Sequence, residues 1–173
     1  MSREASAKQA YVAAGSNVDP VVNLRKALDL LAARYESLRV SPAYRNAAVG
    51  FTGDDFVNLV VGIATAQPVR ELLGALHAVE EVCGRARLHP KWAPRAMDLD
   101  VLVYGDLVVD EPDLKLPRPD LVKRAYMLKP MVDLAPDLRH PTLKTTLREL
   151  WRSFDSTAFA LTPIDLGWQR NPR

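Results

Sequence analysis

Residues 91–104 read KWAPRAMDLDVLVY, and the second half of that stretch decides the fold. From Met97 onward apolar and polar residues alternate, with Met97, Leu99, Val101 and Val103 on one face and Asp98 and Asp100 on the other. A period of two marks a strand with one face against a core. The strand is entered from a strongly basic loop, RARLHPKWAPR, in which Arg85, Arg87, Lys91, Arg95 and His89 meet no acid before Asp98. Gly105-Asp106 then reads as a tight turn into Leu107 to Val109, giving a hairpin.

Upstream, AYVAAG (Ala10 to Gly15) is a short apolar run that ends in the turn-forming Gly15-Ser16-Asn17, a buried strand. A helix follows, with Asp19 as N-cap, Pro20 in the first helical position, and Leu24, Leu28, Leu31 and Tyr35 at helical spacing. Ser37 to Arg45 and Phe56 to Thr65 read as strands, separated by the polar loop Asn46 to Asp55. Pro68 opens a second helix whose Val69, Leu72, Leu73, Leu76, Val79 and Cys83 form an apolar stripe. Ten of the 13 prolines fall at or after Pro90, so the last third is expected to hold more loop, with short helices near Leu121 to Leu134 and Leu143 to Phe154.

Strand, helix, strand, strand, helix, strand is the order of a ferredoxin-like βαββαβ sandwich. The fold class is therefore α+β, with an antiparallel sheet, helices packed on one face and a C-terminal hairpin and helix extension. Residues 1–9 read as a flexible N-terminal extension, 10–160 as one domain and 161–173 as a C-terminal tail.

Composition narrows the class further. A chain of 173 residues, 48% apolar and 25% charged, has enough material for one core. No apolar run approaches the roughly 18 residues of a membrane span, and Met1 to Gln9 has no signal-peptide core, so a cytoplasmic protein is expected. One Cys supports neither an internal disulfide nor a zinc site. Net charge is +2, with 23 Lys and Arg against 21 Asp and Glu, too balanced for a surface built to hold nucleic acid. Aromatic residues make up only 7%, and the cations gather beside two acids rather than spreading over a sheet face.

Asp98 and Asp100, two apart on a strand, project from one face with Cα atoms about 7 Å apart. Such a pair suits Mg²⁺, which binds through one or two carboxylates plus substrate phosphates. An isolated D-x-D is more often a solvated strand face. The basic segment before it is what points to a polyphosphate site. Phe56 and Asn58 share a face, where ring and amide suit a flat heterocycle as well as they suit a core Phe beside a turn-capping Asn, and Tyr126 carries the same ambiguity. There is no P-loop, no G-x-G-x-x-G and no Ser/His/Asp set, and His77, His89 and His140 are scattered.

The segment Lys91 to Leu102, KWAPRAMDLDVL, closely resembles the signature of the 6-hydroxymethyl-7,8-dihydropterin pyrophosphokinase family of folate biosynthesis. Tyr11 to Asn17, Tyr44-Arg45, Phe56-Val57-Asn58, Arg124 to Leu128 and Leu134-Ala135-Pro136 resemble further family segments in the same order, from about Ala10 to Phe154. The resemblance implies transfer of pyrophosphate from ATP to the hydroxymethyl group of a reduced pterin, with release of AMP and use of two Mg²⁺. Asp98 and Asp100 would then ligate both metals and work with Arg85 and Arg95 as the catalytic set. The pterin would fall to Phe56, Tyr126, Asn58, Asn46 and Ala48. The nucleotide would fall to Leu73, His77, Glu80, Arg87, Trp92, Val101, Arg118 and Arg124. Its partners would be these two small molecules, with no nucleic acid or membrane, and a monomer is expected.

The chain departs from the family pattern at Pro117-Arg118-Pro119, where a His is usual, at Asp113, where some members carry an Arg, and at Leu88, where some carry a Lys. Asn46 to Gly50 also lacks a usual Pro pair. Arg118 and Asp113 motivate the alternative of a catalytically weakened relative that binds pterin or nucleotide.

Overall fold

The computed structural model describes residues 5–48, 53–84, 96–157 and 159–172. Strand β1 (Lys8–Ser16) runs down the middle of a six-stranded sheet. β4 (Phe56–Thr65) and β5 (Asp98–Tyr104) flank it, both antiparallel. β2 (Leu38–Val40) and β3 (Ala43–Asn46) pair with the far side of β4. With β2 and β3 counted as one strand, the spatial order is fourth, first, third, second, which is the ferredoxin-like arrangement expected from the chain order.

Ser37 to Arg45 is two short strands rather than one. The break falls at Ser41-Pro42: Ser41 donates its N–H to the Val60 carbonyl at 2.9 Å, and its hydroxyl accepts the Val60 N–H at 2.8 Å. Pro42 has no N–H to continue the ladder.

Helix α1 (Pro20–Arg34) buries Leu24, Leu28 and Leu31, and α2 (Val69–Val82) buries Leu72, Leu76 and Val79. Both pack on one sheet face, against Val12, Leu59, Val61 and Ile63. The opposite face is also covered, which the one-sided expectation missed. There Tyr11, Val60, Leu102 and Val103 meet Met127, Leu128 and Met131 of α3 (Ala125–Leu134), flanked by α4 (Leu147–Ser153). The physical reason lies in β1 and β4, whose AYVAA and LVVGIA runs are apolar on both faces and so need cover on both. A register shift at Tyr11/Val12 makes Leu102 the extra residue of a bulge, so Val103 joins Leu102 on the α3 face instead of lying with Leu99 and Val101.

Other local expectations are corrected as well. Asp19 sits at the N-cap of α1 with φ 39° and no side-chain capping bond, and the turn is held by Asn23, whose amide donates to the Val18 carbonyl at 2.6 Å. Gly105-Asp106 turns the chain without starting a hairpin on β5, and the hairpin is a separate pair, β6 (Val109–Glu111) with β7 (Leu114–Leu116). The segment from Leu121 divides into a 3₁₀ turn, Pro119–Val122, and α3, while α4 starts only at Leu147, where Thr146 and Glu149 form a capping box. Residues 161–173, read as a tail, supply β8 (Thr162–Ile164) on the open edge of β3. Beyond it, Trp168 donates to Asp29 at 2.9 Å, and Arg170 donates to the carbonyls of Ala32, Tyr35 and Glu36 at the end of α1. At the other terminus, Lys8 and Gln9 already belong to β1.

Two buried titratable groups serve structure. The Cys83 thiol at the end of α2 is buried, and burial pushes it up. His140 accepts the N–H groups of Thr142 and Leu143 on Nδ1, and burial pushes its imidazole below the ordinary value of 6.5. The unfolded chain therefore takes up this proton first, so the His140 contribution is present above about pH 6.5 and is lost as pH falls through the lower folded-state value. In urea titrations, wild type should lose stability to His140→Gln steadily as pH falls below 6.5, and parallel pH profiles would contradict the assignment.

Candidate active site

Antiparallel pairing aligns Tyr44, Asn58, Gly15 and Asp98 in one row across four strands, because Asn58 pairs with Tyr44 and with Gly15, and Gly15 pairs with Asp98. Residues directly opposite one another share a sheet face. At about 4.8 Å per strand, the Cα atoms of Asn58 and Asp98 lie roughly 10 Å apart with only Gly15 between them. Phe56 and Asp100 follow on the same face, each two residues from its row partner.

Gly15 is needed by close approach rather than by backbone angle. A Cβ there would stand 2.4 Å from Asn58 Oδ1, closer than side chains tolerate. The bare α-carbon leaves room for Asn58 Oδ1 on the β1 side, while Nδ2 on the β3 side donates to Asn46 Oδ1 at 2.7 Å. Asn58 is buried, half-buried Phe56 stands beside it, and Tyr126 from the first turn of α3 closes the other side. Asn46, Phe56, Asn58 and Tyr126 enclose a cleft of about 90 Å³. Burial above all pushes the Tyr126 hydroxyl up, so the ring presents a neutral face. Ala48 lines an adjoining cavity.

The pose of α3 is held from its far end. Tyr44, next to Asn46 on β3, donates its hydroxyl to Asp133, which also pairs with Lys129 at 2.7 Å. Burial and the Asp133 carboxylate drive the Tyr44 hydroxyl well above the ordinary phenol range.

On the β5 side, Asp98 and Asp100 are both partly exposed. Arg118, carried in by β7 and held by its own N–H on the Leu102 carbonyl at 2.8 Å, stands between two carboxylates. Its Nη1 is 3.6 Å from Asp100 and its Nε is 3.8 Å from Asp120, beyond hydrogen-bond range, and that Nε is shielded from solvent without an acceptor among the described residues. A guanidinium held in this way keeps donors available for an anion. Arg124 caps the start of α3, next to Tyr126.

Other expected nucleotide residues are placed differently. Glu80 is buried and accepts the Leu99 N–H at 3.2 Å, so its carboxylate ties α2 to the strand that carries both aspartates. His77 is exposed, with Nε2 4.0 Å from Glu80, and Leu73 is half-buried against the helix core. The Val101 side chain lies in that core, which leaves only its backbone to offer. Asp113 is paired with Arg70 of α2 at 2.8 Å, an interaction no local pattern announced. Arg85, Arg87, Trp92 and Arg95 lie outside the described residues. Gly15 was missed as a site residue because G-S-N after a strand reads as a turn, and its partner Asn58 is 43 positions away in sequence, a separation only the sheet reveals.

Among the described residues no group of three or more His, Cys, Asp or Glu converges as a metal cage. The two β5 carboxylates, on one sheet face, offer oxygen donors of the type that hard divalent cations take.

Sheet order and site together define the class: a ferredoxin-like domain that sets an aromatic- and amide-lined cleft beside a strand carrying two carboxylates. A family model described as 7,8-dihydro-6-hydroxymethylpterin-pyrophosphokinase matches residues 11–136. The chain belongs to that family, whose reaction is pyrophosphoryl transfer from ATP to hydroxymethyldihydropterin in folate synthesis. It is 36% identical to the 2-amino-4-hydroxy-6-hydroxymethyldihydropteridine pyrophosphokinase of Synechocystis over 168 residues, covering 94% of this chain and 86% of the relative. To the enzyme of that name from Pseudomonas aeruginosa it is 40% identical over 138 residues, covering 78% and 85%. The crystal structure of Plasmodium falciparum HPPK-DHPS, wild type with pteroate, shares the fold at TM-score 0.68 and 15% identity. That match covers 87% of this chain and 45% of the Plasmodium chain, so the present chain spans about half of it.

Gly15→Ala would drive Asn58 off Asn46. Pterin affinity measured by fluorescence quenching should fall roughly tenfold or more, the scale of one buried hydrogen bond lost at about 1–3 kcal/mol, with little change in ATP affinity. Unchanged pterin binding would contradict the role given to this contact.

Proposed function

We propose that Phe56 and Tyr126 stack on the pterin, that Asn58 and Asn46 hydrogen-bond its edge, and that Ala48 lines the same pocket. Asp98 and Asp100 would hold the two Mg²⁺, which would neutralise phosphate charge, and Arg118 and Arg124 add cationic donors. The observation that carries this reading is the Asn58–Gly15–Asp98 row, which puts an amide-lined ring cleft about two strand spacings from the carboxylate pair on one sheet face. A hydroxymethyl arm on a ring seated in the cleft therefore points toward the phosphates. Arg85, Arg95, Arg87 and Trp92 keep the phosphate-holding and closing roles that the family resemblance implies.

The chemistry is positioning and charge neutralisation. The substrate hydroxyl attacks the β-phosphorus, the bond to the α-phosphate oxygen breaks, AMP leaves, and the hydroxyl proton passes to solvent. Bound Mg²⁺ supplies phosphate clamping and a lowered hydroxyl pKa. Glu80 fixes β5 through the Leu99 N–H and so sets where both aspartates stand. Leu73 and His77 border the nucleotide from α2, and Val101 borders it only through its backbone. Among the described residues no helix is long and apolar enough to cross a membrane. We place the protein in the cytoplasm as a monomer acting on these two small molecules, without nucleic acid or membrane partners.

AMP release from ATP and Mg²⁺ should depend strictly on added hydroxymethyldihydropterin, and Asp98→Ala should lower turnover at least about a hundredfold while pterin Kd holds. ATP consumption independent of pterin would refute the reaction. Pterin and ATP binding without AMP release at high enzyme would instead favour the weakened-relative alternative.

A further inference from the structure

The cleft between Phe56 and Tyr126 encloses about 90 Å³, whereas small-molecule sites run to roughly 300–1,000 Å³. A bicyclic heterocycle does not fit that volume alone. Next to it lies a second cavity of about 340 Å³, and Asn46 and Tyr126 line both. Ala47, Ala48, Phe159, Ala160 and Leu161 also line it, and its walls are mostly apolar.

The wall formed by Phe159, Ala160 and Leu161 is a mostly exposed segment that borders packed elements. Arg45 pairs with Thr162, which brings Leu161 alongside Asn46 at the end of β3. Phe159 lies 6.0 Å from Phe154, which stacks at 5.6 Å and 12° on Trp151 of α4, and Lys129 of α3 sits 5.7 Å above the Trp151 ring. The same α3 carries Tyr126, so wall and cleft share one support.

We infer that the C-terminal segment Phe159–Leu161 completes the pterin site: the ring system spans both cavities, and the second one selects a bicyclic ring over a monocyclic one. The inference rests on the pterin reading above and goes beyond it, because it assigns ring-size selection to residues outside the 11–136 stretch that matches the family. A 2-amino-4-hydroxypyrimidine, half the ring system, would occupy the first cleft and leave the second empty. The second ring gains its affinity by displacing water from walls contributed by Ala47, Tyr126, Phe159 and Leu161.

The test is a pair of filling variants that approach the cavity from opposite walls, Ala47→Phe and Leu161→Trp, with a wall-removing variant, Phe159→Ala. Binding of 6-hydroxymethylpterin is read by its fluorescence, binding of 2-amino-4-hydroxypyrimidine by saturation-transfer NMR, and binding of a non-hydrolysable ATP analogue by calorimetry. The filling variants should weaken the pterin at least tenfold and leave the pyrimidine and the ATP analogue within twofold of wild type. Phe159→Ala should weaken the pterin several-fold. Pterin affinity within twofold of wild type in both filling variants, with Tyr126→Ala still weakening it, would overturn the assignment of the C-terminal wall alone. If wild type fails to bind the pterin, or Tyr126→Ala and Phe56→Ala leave its affinity intact, the underlying pterin reading falls and this inference with it.

Discussion

The site depends on one steric constraint, the approach of the Asn58 amide over the bare α-carbon of Gly15. Any larger residue would meet Asn58 Oδ1 at 2.4 Å. Because of that gap, the amide turns toward Asn46 and Phe56 rather than standing off the sheet, and one pairing step further the same row reaches Asp98. The aromatic cleft and the β5 carboxylates thus share one sheet face, and strand spacing sets the distance between them.

The rest of the fold steadies that platform. α1 and α2 fill one face, and Glu80 reaches from α2 to the backbone of β5, so the aspartate strand is fixed by a buried side-chain hydrogen bond. α3 covers part of the other face and stops where the cleft begins. Its first turn delivers Tyr126, while the Tyr44–Asp133–Lys129 network anchors its last turns to β3. The C-terminal strand β8 then extends the sheet beyond β3 and brings Leu161 to the cleft. Arg118 brings a permanent cation where the family pattern has a His, and the carboxylates of Asp100 and Asp120 bracket it at ion-pair distance.

The βαββαβ core was legible because its signals are local: alternation in Met97 to Tyr104, helical stripes in α1 and α2, and apolar runs in β1 and β4. The placement of Asp98 and Asp100 on one face followed from the same period of two. What escaped has non-local causes. The bulge at Leu102 depends on register against β1, and the break at Ser41 depends on a bond to Val60 in another strand. Residues 161–173 carry too short a strand to alternate, and their anchors, Asp29 and the carbonyls of Ala32, Tyr35 and Glu36, are more than 130 positions away. The burial of Glu80 and Val101 against β5 and the helix core is likewise a tertiary property that no local pattern announces.

The central claim is that pterin ring and metal-bound phosphates lie side by side on one sheet face, separated by the Gly15 column. Paramagnetic relaxation by Mn²⁺, added with a non-hydrolysable ATP analogue, reads that separation directly through the protons of the pterin hydroxymethyl group. The account predicts strong relaxation, corresponding to a separation of roughly 10 Å or less, which is lost in the Asp98→Asn/Asp100→Asn double variant. Pterin bound with relaxation no greater than in free solution would contradict it.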